Sequence, residues 1–224
     1  MIVVTFAVPH ESRGLRSALR HASRAGTGDW LLGNLGLEEV LVVHTGIGLS
    51  AAEASTNAVL NEFRPSWLLC AGYAGALESH LLHGQVVVAS NFSAHTLAAR
   101  CNWRRVVLTS ETHAIETVPA KAALARKTGA QAVDMETGGV ARACAEHDVP
   151  LLAMRAISDT AGQRIPVPLE ISFDLERQCP KVRPLLAFLA HNPTLIVPFI
   201  LFVTGLTKVR AALTDAVIDA ILAE

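Results

Sequence analysis

The sequence predicts an α/β protein: a three-layer α/β/α domain around a central, mostly parallel mixed sheet, with C-terminal helices packed on it. Two patterns predict this class. Short runs rich in Val, Ile and Leu recur at 2–8, 40–44, 67–70, 85–89, 105–109 and 151–157, almost continuously apolar, as strands covered on both faces must be. Helical patterns lie between them at 11–22, 49–63, 119–128 and 136–147. The chain has 224 residues, 51% of them hydrophobic, which suits one domain over 1–224. Residues 1–162 bear the motifs; 163–224 supply a loop and terminal helices.

The opening run, Met1 to Val8, has no charged leader region and no cleavage signal, so it reads as a first strand rather than a signal peptide. Glu11 follows it directly. An acid at the carboxyl end of a strand and the start of a helix either favours the helix dipole or serves a site. Thr45–Ala51 (Thr-Gly-Ile-Gly-Leu-Ser-Ala) follows the second long strand and opens a helix. Gly46 and Gly48 permit close backbone approach there, and the free amides suit an anion or a sugar hydroxyl. The spacing also fits a dinucleotide fingerprint, but the next strand ends Leu69-Cys70 without an acid, which rejects NAD. Ser50 and Glu53 have capping-box spacing. Ala71–Gly75 follows the third strand, and Tyr73, the only tyrosine in the chain, stands between Gly72 and Gly75. Core packing and pocket lining are both open to it.

The densest chemistry lies in residues 131–162. Glu136 enters a helix and Asp159 sits just past the next strand, so both carboxylates converge on the rim of the sheet, where α/β proteins hold ligands. Beyond them, Pro166, Pro168 and Pro180 make 163–180 mostly loop with a short helical piece. Residues 181–224 read as helix with breaks at Asn192-Pro193 and around Thr204-Gly205. The apolar run 195–206 is about half the length that spans a bilayer and contains Pro198. It reads as a buried or interface helix ahead of a membrane-surface contact.

A net charge of −1 and the lack of a basic stripe interleaved with aromatics argue against a nucleic-acid partner. Cys70, Cys101, Cys144 and Cys179 are scattered with no CxxC pair, as buried thiols of a reducing cytoplasm would be. His80 and His83 stand close together but without further ligands at metal spacing. Nothing calls for a metal or an organic cofactor.

Glu11 after the first strand, the Thr-Gly-Ile-Gly loop, Ala71–Leu77, Val133–Glu136 and Arg155–Asp159 occur in the order that marks the nucleoside phosphorylase/nucleosidase family. The chain resembles that family over residues 1–162. The family includes purine nucleoside and uridine phosphorylases and methylthioadenosine/S-adenosylhomocysteine nucleosidases. Val106–Ser110, Ala120–Leu124, Thr128–Ala130, Val133–Glu136 and the helical tail are similar to its bacterial hopanoid-associated phosphorylase branch.

The resemblance implies cleavage of a purine N-glycosidic bond. Asp159 matches the acid that serves the purine N7, its proton affinity raised by burial beside Ile157. Glu136 with Met135 matches the holder of the ribose hydroxyls, and Glu11 the base that activates water. Ser158, Gly72, Tyr73, Gly46 and Gly48 would line the substrate, with His113 near the place of the family's stacking aromatic. A phosphorylase needs cations around its phosphate, yet the 45–51 and 71–76 loops hold no Arg or Lys and Glu11 would repel the dianion. Arg13 is the nearby candidate. Water is therefore favoured over phosphate. The segment between Ser90 and Arg105 is shorter than the family's, which implies an open site and a bulkier 5′ substituent, lipid-linked in one version. A non-catalytic nucleoside-binding protein is the alternative, and an α/β interaction module a third. The apolar excess, with 195–206 as candidate interface, implies a homo-oligomer.

Overall fold

The computed structural model describes residues 1–100 and 102–223, with Arg100 described by its backbone alone; Cys101 lies outside the described residues. Strand β1 (Ile2–Phe6) runs into α1 (Pro9–Ala18), and a hairpin of β2 (Arg20–Ala25) and β3 (Trp30–Leu35) leads to β4 (Glu38–His44). Helix α2 (Leu49–Glu62) crosses to β5 (Leu68–Ala76), followed by β6 (Val86–Ala89), α3 (His95–Arg100), β7 (Arg104–Val106) and β8 (Leu108–Ser110). Then come α4 (Val118–Thr128), β9 (Ala132–Asp134), α5 (Thr137–Glu146) and β10 (Leu151–Asp159). A short α6 (Leu169–Ser172), a small hairpin of β11 (Phe173–Asp174) and β12 (Cys179–Pro180), α7 (Val182–His191) and α8 (Ile196–Leu222) close the chain.

At the centre of the sheet β4, β1, β5 and β10 lie side by side, all parallel, as the apolar runs predict. Antiparallel partners flank them: β3 and β2 beyond β4, and β6 beside β10. Every residue of β1 and β10 is buried, because helices cover both faces. Val3, Leu41, Val43, Leu68 and Cys70 pack with Val59 and Leu60 of α2 and Val140 and Cys144 of α5. Their neighbours Ile2, Val4, Val40, Val42 and Leu69 pack with Leu15 of α1 and with Val209, Leu213, Val217 and Ile221 of α8. Each fully buried aliphatic side chain contributes about 1.5–3 kcal/mol of transfer free energy. The ends of α4 are local: Thr117 Oγ1 accepts from Ala120 N, and Gly129 closes the helix at φ 69°.

Several expectations are corrected. The first helix ends at Ala18, not 22, and the β2–β3 hairpin follows. Strand β2 is a mostly exposed, polar edge, so no apolar alternation announces it. The 105–109 run divides around Val107, whose backbone binds Gln131 on both sides, and yields β7 and β8. The Ser50–Glu53 box does not form: Gly48 occupies the cap, and Glu53 instead binds Arg142 of α5, Nε to Oε2 at 2.9 Å. The break at Asn192-Pro193 is present, but α8 runs unbroken through Gly205. Packing of the helix's second half outweighs the roughly 1 kcal/mol a mid-helix glycine costs. The 195–206 run is not a buried helix; Val197, Ile200 and Leu201 are 63, 53 and 66% exposed. Cys70 and Cys144 are buried, Cys179 is exposed.

Candidate active site

A cavity of about 350 Å³ opens where β1, β5 and β10 end and the loop after β4 begins. Its wall includes Glu11, Tyr73, His113, Met135, Glu136, Ser158 and Asp159. Seven of the side chains singled out in the sequence thus meet in one place, at the carboxyl edge of the parallel strands.

Glu11 lies in the first turn of α1 and points back beneath the strands. Its Oε2 accepts from Ala7 N at 3.0 Å and Val8 N at 3.2 Å, and its Oε1 from Tyr73 N at 3.1 Å. A carboxylate offers about four acceptor sites, so about one remains for a ligand or water. Burial raises its pKa from the ordinary value, against the pull of these donors and of Arg155. Gly72 makes the approach possible, since a Cβ there would lie 3.2 Å from Glu11 Oε1. Glu136, just before α5, accepts from Gly48 N at 3.1 Å. Burial and then the neighbouring Asp134 charge push its pKa up to about 8. Gly48 therefore acts through Glu136. Gly46 faces elsewhere, against Gln178, whose Oε1 takes the Ile47 N–H at 2.7 Å.

Asp159 closes β10. Ser158 Oγ donates to its Oδ1 at 2.6 Å, and the Lys121 ammonium of α4 binds its Oδ2. Lys121 is wholly buried and also donates to the Thr160 and Gln163 carbonyls, each at 2.8 Å. This is a correction: a buried cation, and not only apolar Ile157, sets the surroundings of Asp159. Lys121 escaped the sequence reading because a lysine in a helix is usually solvated. The available signal was its spacing, three residues before Leu124 on the one buried face of α4. Gly75 on β5 allows the acid to sit close, a Cβ there falling 3.0 Å from Asp159 Oδ2.

Arg13 is a second correction: it is exposed on α1 and does not line the cavity, because its helical position turns outward from Glu11. Also missed was His10, which lines the cavity between Tyr73 Oη at 3.3 Å and Arg210 at 2.8 Å. Burial, then Arg210 and Arg13, lower the His10 pKa. Arg155 is buried beneath the site, its Nε on Asp134 at 2.8 Å and its NH2 on Thr137 Oγ1 at 2.6 Å. It ties β10 to the start of α5 and so holds Asp159 and Glu136 on one frame. The outer wall is apolar: Ile115, Ile165, Val167 and Leu169, with Phe199, Phe202 and Leu206 from α8. No Arg or Lys lines the cavity among the described residues. His80 lies 3.1 Å from Glu78, and His83 packs against Gly205.

A parallel sheet with three carboxylates gathered at its carboxyl edge defines an α/β protein with an acid-lined small-molecule site. Residues 1–115 and 102–186 match the Phosphorylase superfamily, and the chain belongs to it. The 5′-methylthioadenosine/S-adenosylhomocysteine nucleosidase of Bacillus thuringiensis subsp. konkukian is 26% identical over 77% of this chain and 90% of its own length. The Colwellia psychrerythraea nucleosidase of the same name, solved with adenine, superposes at a TM-score of 0.75 over 99% of this chain and 94% of its own, at 18% identity. The futalosine hydrolase of Helicobacter pylori superposes at 0.72 over 99 and 96%, at 17% identity. The mixed, centrally parallel α/β fold is thus shared with these enzymes.

Proposed function

We propose that the protein hydrolyses the N-glycosidic bond of a purine nucleoside, with water as the nucleophile. One observation carries this: Glu11, Glu136 and Asp159 share a cavity whose described lining holds no Arg or Lys to bind a phosphate dianion. The nucleosidases similar in sequence and fold support the same chemistry.

Cleavage builds positive charge on the ribose and negative charge on the departing base. Asp159, a carboxylate paired with Lys121, serves the base by relaying a proton from solvent to the purine as the bond breaks. Lys121, held on Oδ2, stabilises the carboxylate that this transfer leaves. Glu136, with Met135 beside it, takes the ribose hydroxyls. Glu11, anchored by three backbone N–H groups with one acceptor site left, orients the water and takes its proton. His113 and Ile115 face the base from the loop before α4.

A second reading concerns the 5′ substituent. Phe199, Phe202 and Leu206 form an apolar wall on a helix whose outer side is exposed, so the cavity extends toward an open apolar surface. A long apolar 5′ group fits this wall better than a short one.

The test is base release from methylthioadenosine, S-adenosylhomocysteine, adenosine, inosine and a 5′-alkylthioadenosine series, with and without phosphate, alongside Asp159→Asn. Phosphate-independent release that the substitution abolishes supports the hydrolase. Release only with phosphate makes the protein a phosphorylase. Tight binding without release identifies a nucleoside-binding protein. A KM that falls as the alkyl chain lengthens supports the apolar 5′ wall; a flat series opposes it.

A further inference from the structure

We propose that α7 and the first half of α8 dock on an anionic lipid bilayer, lying in its surface without crossing it. Val182 and Leu186 of α7 and Ile196, Val197, Ile200, Leu201 and Val203 of α8 are all large, apolar and exposed. None of the ten residues of α7 is buried. The two helices follow one another through the short turn at Pro193–Leu195, and each carries exposed apolar side chains.

Charge selects the occupant. No Asp or Glu occurs from residue 177 to 214, while Arg177, Lys181, Arg183, Lys208 and Arg210 all fall there. The chain as a whole carries a net charge of −1, so the acidic excess lies elsewhere. Lys181 faces Asp174 at 3.9 Å, Arg177 lies beside the same carboxylate and Arg210 touches His10, which leaves Arg183 on α7 and Lys208 on α8 exposed. Exposed apolar helices that carry cations and no acid from 177 to 214 are complementary to an anionic headgroup layer. A second copy would offer these cations no acid from its own residues 177–214.

Length and packing decide that the segment does not cross the bilayer. Helix α8 is long and apolar enough to cross a membrane by composition. Its second half, however, is locked into the core through Val209, Leu213, Ala216, Val217 and Ile221. Only residues 196–205 precede this packing, about 15 Å of helix against about 30 Å of hydrocarbon. The same half-helix supplies Phe199, Phe202 and Leu206 to the cavity, so a docked protein presents its apolar pocket wall beside the lipid.

Flotation with vesicles tests this without reference to catalysis, so its outcome is separate from that of the nucleosidase reading. The full chain is mixed with vesicles of phosphatidylcholine alone or of phosphatidylcholine with phosphatidylglycerol, and compared with Ile200→Ser/Leu201→Ser. Neither residue lines the cavity. The expected result is flotation with the anionic vesicles, weakened by salt, and a partition coefficient about tenfold or more lower in the double variant. The melting temperature stays within the parent's range. Failure to float with anionic vesicles, or equal flotation of the variant, overturns the proposal. So does a dimer in light scattering that the double variant dissociates without any vesicle binding, which assigns the face to a second copy.

Discussion

Replacing Lys121 by Met puts the buried ion pair to a quantitative test. The ammonium is wholly buried and the partner carboxylate is 3% exposed, so neither charge can be rehydrated in place. Removing one partner of a buried pair costs about 3–5 kcal/mol, because the other is left uncompensated. The Thr160 and Gln163 carbonyls lose their donor as well, which places the expected cost toward the upper end. For a chain of this length about 2–4 °C of melting temperature follows each kcal/mol, so Lys121→Met lowers the midpoint by about 6–20 °C. Asp159→Asn added to Lys121→Met removes the stranded charge and restores at least half of that loss. Calorimetry or thermal fluorescence at neutral pH measures all three proteins. If Lys121→Met melts within about 2 °C of the parent, or if the double variant recovers nothing, the ion pair does not hold this corner together and the reasoning fails.

Three more perturbations follow from the geometry. Glu11→Gln keeps the fold but lowers kcat by about 10²–10⁴, the usual worth of a general base; an unchanged kcat removes Glu11 from the reaction. Because burial raises the Glu11 pKa, kcat/KM of the parent climbs with pH through a value above the ordinary 4.5; an acid limb at or below it contradicts the assignment. Glu136 holds a proton in the folded state up to about pH 8 that the unfolded chain releases near 4.5, so its contribution to stability is lost as pH rises through that interval. Glu136→Gln therefore gains on the parent by about 1–3 kcal/mol between pH 5 and 8, less than the full interval because the carboxyl faces the open cavity, and denaturant titrations at both pH values read the difference. Gly75→Ala places a Cβ about 3.0 Å from Asp159 Oδ2 and shifts the acid; kcat falls by about 10- to 100-fold, and a variant with full activity would mean the carboxylate has room to spare.

The central strands and crossing helices were legible because a strand covered on both faces must be largely apolar, as the runs 2–6, 40–43, 68–71 and 151–154 are. The same holds for Glu11, Glu136 and Asp159, which stand at the junctions between strand and helix where a parallel sheet gathers its loops. The exposed edge strand β2 and the three-residue β9 were not legible, since a polar edge or a very short strand carries no periodic signal. Nor does a linear pattern say what meets a side chain in space. Lys121 contacts a carboxylate 38 residues away, and Arg155 reaches across to Asp134 and Thr137. The run at 195–206 shows the limit most clearly. Its apolar character is a property of sequence, but whether that character is buried depends on what packs against it, and only the tertiary structure leaves one face on the cavity and the other open to solvent.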